Sequence, residues 1–226
     1  EKVLIHPMRT LVVIPTYNER ANIQALLNQV LSLPEGFHVL VVDDGSPDGT
    51  AQLVKELQNQ FPTRIHLLER AGKLGLGTAY LAGFRWGLNS GYDFIFEMDA
   101  DFSHNPNDLS RLLHACLQEG ADLAIGSRYV RGGGVINWPF NRIALSKGAS
   151  IYTRLITGMP IKDPTAGFMC YSRKVLEALN LDRIRFVGYA FQIEMKFKAW
   201  RAGFKLKEVP ITFQDRTQGV SKMHRG

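Results

Sequence analysis

The chain has 226 residues, 45% of them hydrophobic and 21% charged, a composition that excludes a disordered or fibrous protein. The formal net charge of +6 favours an anionic partner, which could be a nucleotide, a phospholipid surface or a nucleic acid. No apolar run is long enough to span a bilayer and no signal-peptide pattern opens the sequence, so we expect a soluble or peripheral protein. The length fits one domain, residues 1–226. Cys116 and Cys170 are too few for a disulfide framework or a zinc site, and we expect reduced thiols in a cytosolic compartment.

The first half of the chain alternates between strand and helix patterns. Short apolar or β-branched runs predict buried strands over residues 10–14, 39–42, 65–68, 94–98 and 123–126. Apolar residues at helical spacing predict helices over residues 22–33, 50–61, 75–88 and 109–117. This alternation predicts an α/β fold, with a mostly parallel central sheet and helices on both faces.

The alternation stops after Arg128. Three consecutive glycines, Gly132 to Gly134, predict a flexible loop. Residues 168–171 and 206–211 read as later strands that flank a helix over about residues 191–202.

In a helical projection, residues Arg142 to Thr157 form a basic amphipathic helix. The apolar side carries Ala144, Leu145, Ala149, Ile151, Tyr152, Leu155 and Ile156. Such a helix can lie in a lipid interface, or it can pack on the core with a solvated back. The sequence leaves both alternatives open.

Acids and a tyrosine follow three of the predicted strands. Tyr17 and Glu19 come after the first strand, Asp43 and Asp44 after the second, and Asp99 and Asp101 after the fourth. The carboxyl ends of parallel strands meet at one edge of a sheet, which is where such folds bind ligands. Two carboxylates there can hold a hard divalent cation together with diphosphate oxygens, while Glu19 and Asp43 can accept hydrogen bonds from a base and a ribose. Any single loop could instead be a helix cap or an Asx turn.

Three other kinds of site are excluded by spacing. The first strand is followed by Pro15-Thr16-Tyr17 and not by a glycine fingerprint, and the glycines of residues 72–77 have neither Rossmann nor Walker spacing. A calcium loop that starts at Asp99 would need Gly and Glu where His104 and Ser110 stand. Dehydrogenase, P-loop and EF-hand functions are therefore not expected.

Six motifs occur in order along the chain and together carry a resemblance to a known family. They are Val13-Ile14-Pro15-Thr16-Tyr17-Asn18-Glu19, Asp43-Asp44-Gly45-Ser46-Pro47-Asp48-Gly49-Thr50, Gly75-Leu76-Gly77-Thr78-Ala79-Tyr80, Asp99-Ala100-Asp101-Phe102-Ser103-His104, Gly126-Ser127-Arg128-Tyr129 and Asp163-Pro164-Thr165-Ala166-Gly167-Phe168. The sequence resembles family 2 glycosyltransferases, most closely the polyprenol (dolichol) monophosphate mannose synthases. The resemblance spans roughly Thr10 to Lys222, and Trp138-Pro139-Phe140 adds to the likeness to the lipid-phosphate branch.

The resemblance implies a GT-A fold, with inverting transfer of mannose from GDP-mannose to a polyprenyl or dolichyl phosphate, helped by Mg²⁺ or Mn²⁺. It implies a nucleotide-sugar site of Pro15, Tyr17, Glu19, Val41, Asp43, Asp99, Ala100, Asp101, Arg128, Arg216 and Lys222. It implies a metal site of Asp99, Asp101 and Ser103, where the family often has Gln at the third position, and acceptor-phosphate contacts from Arg128, Arg142 and Ser221. Asp101, Arg128 and Arg216 would be the catalytic residues.

A lipid phosphate is already anionic at neutral pH, so this reaction needs no general base. Where relatives place a Glu-Asp base, the chain has Gln192 and Glu194, and we predict no essential acid–base residue. The expected location is the cytoplasmic face of a membrane, as a peripheral protein with a membrane-anchoring subunit or further C-terminal segment left open. UDP-glucose as donor, another glycan as acceptor and a catalytically silent nucleotide-sugar-binding subunit are the alternatives. Nucleic-acid binding is not expected, because the basic residues are dispersed.

Overall fold

The computed structural model describes residues 8–186 and 188–215. The strands of this part are β1 (Thr10–Thr16), β2 (His38–Asp43), β3 (Ile65–Glu69), β4 (Phe94–Glu97), β5 (Leu123–Ser127), β6 (Gly134–Ile136), β7 (Met169–Ser172), β8 (Leu206–Pro210) and β9 (Thr212–Gln214). The α-helices are α1 (Arg20–Leu31), α2 (Thr50–Gln60), α3 (Leu76–Asn89), α4 (Asp108–Leu117), α5 (Phe140–Thr157), α6 (Arg173–Ala178) and α7 (Tyr189–Arg201), with a 3₁₀ turn at Leu181–Arg183.

The central sheet has the strand order β3-β2-β1-β4-β7-β5-β8. Its neighbouring strands run parallel except at β7, which is antiparallel to both β4 and β5. The predicted mostly parallel α/β sheet is therefore confirmed. The reversed direction of β7 was not predicted, because a short apolar run indicates burial and not strand direction.

Alternate side chains of each central strand point to opposite faces of the sheet and form two cores. Val12 and Ile14 of β1 belong to one core, beneath α1, α2 and α4. Leu11 and Val13 belong to the other, beneath α3, α6 and α7. Both faces are thus covered, which explains why the strands are continuously apolar in sequence.

Helix α3 lies unusually close to the sheet because of its glycines. A Cβ atom at Gly83 would clash with Val13 Cγ1, and one at Gly87 would approach Ile95 Cδ1 to 2.7 Å. Larger residues would push the helix away from β1 and β4, the two strands whose ends carry the first and fourth motifs.

Of the three glycines after β5, Gly132 and Gly133 lie in a loop as the sequence predicts, and Gly134 lies in a strand that was not predicted. Gly134 begins β6, which pairs in parallel with β9, and its N–H donates to the Ile211 carbonyl at 3.0 Å. A Cβ atom at Gly133 would lie 2.5 Å from the Ser127 carbonyl oxygen. At Gly133 the glycine allows a close approach of backbone to backbone.

Helix α5 lies outside both cores, and within Phe140–Thr157 only Ser150 is buried. The side chains of α5 that face the protein are mostly small and polar, and its large apolar side chains point outward. Phe140 is 85% exposed, Leu145 76%, Leu155 77% and Ile156 69%. The alternative of a core-packed helix with a solvated back is therefore wrong. No helix in the described part of the chain has the length and apolarity needed to cross a membrane.

Candidate active site

The sequence motifs converge on one edge of the sheet. Strands β1, β2 and β4 are parallel neighbours, with Thr16 opposite Asp43 and Val13 opposite Glu97, so the loops that follow them lie side by side. Strand β7 runs the other way, which brings the segment before Met169 to the same edge. The first, second and fourth motifs thus meet as predicted, and the sixth joins them through the reversed direction of β7, which was not predicted.

Hydrogen bonds join the loops after β1 and β2. The Asp43 carboxylate is 1% exposed and accepts from Thr16 Oγ1 at 2.8 Å and from the Ser46 N–H at 2.9 Å. Ser46 Oγ accepts from the Asn18 N–H at 2.9 Å. The local turn at Asp43 is therefore present as the alternative interpretation supposed, and it fixes the two loops to each other.

Asp44 is neutralised within the protein and is not aimed at a ligand. Its two carboxylate oxygens accept from Arg70 Nε at 2.7 Å and Arg70 Nη2 at 2.8 Å. Arg70 also donates to Thr78 Oγ1 at 2.9 Å, which ties the second motif to the third. This partner could not be identified from local pattern, although Arg70 directly follows β3, the neighbour of β2.

The other predicted nucleotide residues differ in their access to the edge. Tyr17 and Pro15 are half-buried, and the Lys73 Nζ atom lies 5.2 Å from the Tyr17 ring centroid. Glu19 is 9% exposed and its Oε2 accepts from Asn22 Nδ2 at 3.1 Å. Val41 belongs to the core and is fully buried, so only its backbone could meet a ligand.

The loop after β4 holds Asp99 and Asp101 in a tight turn. Asp99 is 35% exposed in its side chain and accepts from Tyr80 Oη at 3.1 Å. Asp101 is 7% exposed and its Oδ1 accepts from the Ser103 N–H at 3.0 Å. Ala100 between them is buried in the core, so it too can offer only backbone.

His104 stabilises this turn in its neutral form. Its Nδ1 accepts from the Asp99 N–H at 3.3 Å, and burial lowers the pKa of His104 to about 4. The imidazole stacks on Phe168, with ring centroids 4.8 Å apart. The turn after β4 is thereby attached to the segment that enters β7.

Three residues other than glycine have positive φ within the described ranges, and all lie in loops of this region. They are Asn18 at 58°, Phe102 at 60° and Asn137 at 62°. A left-handed backbone is unfavourable for side chains with a Cβ, and such strain concentrates at functional sites. The loops are therefore held in shapes that local preference alone would not choose.

The donor atoms here suit a hard divalent cation that arrives with a phosphate ligand. Asp99 and Asp101 offer carboxylate oxygens, and Ser103, which is 4% exposed, could add its hydroxyl. Across residues 8–186 and 188–215 no group of three or more His, Cys, Asp and Glu side chains could hold a metal ion. Mg²⁺ is commonly bound by one or two carboxylates with phosphate oxygens completing its shell, and these residues fit that pattern.

Arg128 follows β5 and is fixed by a buried ion pair. Its Nε and Nη2 atoms each donate to an oxygen of Asp163 at 2.7 Å, and Nη2 also donates to Thr165 Oγ1 at 2.9 Å. The Asp163 side chain has no exposed surface, and its backbone N–H donates to Glu208 Oε1 at 2.9 Å. Glu208 is a site residue that sequence reasoning missed, since it comes from β8, far along the chain.

Arg142, in the first turn of α5, lies near Arg128 through a shared aromatic ring. The Arg142 Cζ atom is 4.0 Å and the Arg128 Cζ atom 5.6 Å from the Trp138 ring centroid. Arg142 also pairs with Asp215 at 2.8 Å. The predicted Arg216, Ser221 and Lys222 lie outside the described residues.

The two positions considered for a general base have other partners. Gln192 is buried, and its Nε2 donates to Glu97 Oε2 at 2.6 Å, while Tyr171 Oη donates to Glu97 Oε1 at 2.9 Å. Burial raises the pKa of Glu97 to about 7. Glu194 accepts from the Arg185 N–H at 2.9 Å and pairs with Lys198 at 2.7 Å, so it joins the segment that precedes α7 to the helix.

The chain is similar in sequence to known proteins over most of its length. Residues 11–179 match the family model described as Glycosyl transferase family 2. The chain is 54% identical over 215 residues to Polyprenol monophosphomannose synthase of Mycolicibacterium smegmatis, covering 95% of this chain and 81% of that protein. It is 47% identical over 219 residues to Undecaprenyl-phosphate mannosyltransferase of Micrococcus luteus, covering 97% and 89%.

The fold is also similar to that of solved glycosyltransferases. The mannosyltransferase PcManGT from Pyrobaculum calidifontis, solved in complex with GDP-Man and Mn²⁺, superposes with a TM-score of 0.62 at 17% sequence identity. The match covers 95% of this chain and 58% of that one. The predicted GT-A architecture is confirmed.

Proposed function

The chain belongs to glycosyl transferase family 2, and from that premise we propose that it transfers mannose from GDP-mannose to a polyprenyl phosphate, with inversion. One observation carries the proposal. The turn with Asp99 and Asp101 follows β4 and Arg128 follows β5, so both lie at the same sheet edge, and Arg142 shares the Trp138 ring with Arg128. The two carboxylates can hold a metal ion with its nucleotide, and the two guanidinium groups can bind a second phosphate. The names of the two relatives in Mycolicibacterium smegmatis and Micrococcus luteus support this acceptor class.

On the donor side, Glu19 and Asp43 would accept hydrogen bonds from base and ribose, and Tyr17 would stack on the base. Asp99 and Asp101 would hold Mg²⁺ or Mn²⁺, and Ser103 would add its hydroxyl. When bound, the cation supplies positive charge that neutralises the leaving diphosphate. The GDP-Man and Mn²⁺ complex of PcManGT, a protein of the same fold, supports this choice of donor and metal.

On the acceptor side, an anionic phosphate oxygen attacks the anomeric carbon in line with the departing GDP, so the sugar configuration inverts. No proton leaves the nucleophile, and the buried Gln192 agrees with a reaction that needs no base. The protein's work is to position two anions and offset their repulsion. Arg128 does this in a place where Asp163 fixes its orientation.

The outer side of α5 would bind the bilayer that contains the lipid acceptor. The helix carries Arg142, Lys147 and Arg154 with no acid between Phe140 and Thr157, so its charge matches anionic headgroups. Its exposed Leu145, Leu155 and other apolar residues would enter the headgroup region. The chain would act as a single catalytic domain, residues 1–226, at the cytoplasmic face.

The test is transfer of radiolabel from GDP-mannose to a short-chain prenyl phosphate in the presence of Mn²⁺, with Asp101→Asn as the inactive control. The proposal predicts an organic-soluble, mild-acid-labile product that depends on Asp101. Labelled UDP-glucose, run in parallel, should give no such product. Transfer of glucose in place of mannose would contradict the donor assignment, and GDP-mannose binding without turnover would indicate a silent binding subunit.

A further inference from the structure

Trp138 lies between two rigid elements beside both arginines. It follows β6 and Asn137, whose φ of 62° is left-handed, and it precedes Pro139 at the start of α5. The Phe213 ring of β9 meets it edge to face, with centroids 5.5 Å apart. The indole is therefore fixed from several sides before any ligand binds.

The indole ring contacts the cations that would receive the acceptor phosphate. Both guanidinium groups approach its centroid, at 4.0 Å for Arg142 and 5.6 Å for Arg128. Such cation–π contacts hold an arginine in place without consuming its N–H donors. Each arginine also pairs with a carboxylate, Asp163 or Asp215, so part of its hydrogen-bonding capacity is already used.

The indole N–H of Trp138 is buried and has no hydrogen-bond partner among the described residues. Buried polar atoms in folded proteins are almost always paired, because an unpaired donor loses the hydrogen bond that water would give it. An unpaired donor beside two arginines is the arrangement expected where an anion completes the bonding. Indole is a donor only, so its partner must be an acceptor such as a phosphate oxygen.

We propose that the Trp138 N–H donates a hydrogen bond to the acceptor phosphate, between Arg128 and Arg142. This inference rests on the proposed function and adds a residue that the family resemblance did not assign to the site. The donor carries no net charge, and no carboxylate among the described residues accepts a hydrogen bond from it.

Trp138→Phe keeps an aromatic ring for the arginines and removes only the donor. We expect the KM for farnesyl phosphate to rise about tenfold, the effect of losing a hydrogen bond to a charged group, while the KM for GDP-mannose stays unchanged. Trp138→His, which restores a ring N–H, should recover part of the loss. Trp200→Phe in α7 is the matched control and should leave both constants unchanged.

A second measurement needs neither donor nor turnover. Isothermal titration calorimetry with farnesyl phosphate should give the wild-type affinity for Trp200→Phe and about tenfold weaker affinity for Trp138→Phe. Binding of farnesyl phosphate by Trp138→Phe with wild-type affinity would overturn the inference, even if transfer of mannose is intact. Equal loss of affinity for both substrates would also overturn it, since it would indicate a purely structural role. Failure of the proposed function would appear separately, as no mannose transfer by the wild type.

Discussion

The ion pair between Arg128 and Asp163 should dominate the stability of the acceptor side. Asp163 accepts from the Arg128 backbone N–H at 3.0 Å and from Nε and Nη2 at 2.7 Å. The side chains are 0% exposed for Asp163 and 10% exposed for Arg128. Asp163→Asn removes the negative charge and turns an amide N–H toward the guanidinium. A buried arginine is then left without its counter-charge.

Breaking a buried ion pair from one side costs about 3–5 kcal/mol in the free energy of unfolding. Arg128 keeps its bond to Thr165 and a small exposed area, so we expect a value near the lower end, about 3 kcal/mol. For a chain of this size that corresponds to a fall in Tm of about 6–12 °C. Because Arg128 loses its orientation, mannose transfer measured below the new Tm should also fall at least ~10-fold.

The assay is thermal unfolding followed by circular dichroism, together with the transfer reaction. Asp182→Asn is the control, because its ion pair with Arg85 is exposed, at 84% and 45% of the two side chains. That change should alter the free energy of unfolding by less than about 0.5 kcal/mol. If Asp163→Asn melted at the wild-type temperature, the buried pair would not be the support that its geometry indicates.

Three further predictions concern catalysis, pH and the membrane. Asp101→Asn should lower turnover with GDP-mannose at least ~100-fold, whereas Glu194→Gln should keep most of it; the reverse ranking in steady-state kinetics would contradict the reaction without a base. Burial is the largest cause, and the charge of the neighbouring His66 the second largest, of a shift that lowers the pKa of His38 to about 4. As pH falls from about 6.5 to about 4, the unfolded chain therefore gains a proton that the folded histidine does not. Wild type should then lose stability relative to His38→Gln in urea unfolding across that window, and parallel curves would refute the assignment. Lys147→Glu/Arg154→Glu should abolish flotation with anionic vesicles, and unchanged flotation would remove the interfacial role of α5.

The sequence was sufficient for elements that depend on local pattern. Apolar runs such as Val39 to Val42 and the helical spacing of Ile23, Leu26 and Leu27 placed strands and helices close to where the structure has them. The order of motifs at strand ends placed the acids at one edge, because parallel strands put their carboxyl ends together.

The remainder depended on contacts between residues far apart in the chain. Arg70 neutralises Asp44, and Glu208 holds the Asp163 segment across 45 residues, yet neither partner has a local signature. The close backbone approach at Gly133 and the short strand that begins at Gly134 were not predicted, because glycine has no side-chain pattern that indicates either. The surroundings of Trp138 come from β6, β9 and α5 together, so its unpaired N–H could not be foreseen.

The proposed reaction requires the acids at this sheet edge to hold a nucleotide sugar with its cation. A crystal structure of the protein soaked with GDP-mannose and Mn²⁺, with the metal located by its anomalous signal, would test this role. We expect the metal between Asp99 and Asp101, and GDP over the loops that follow β1 and β2. A ligand bound elsewhere, or an empty edge at saturating concentrations, would contradict it.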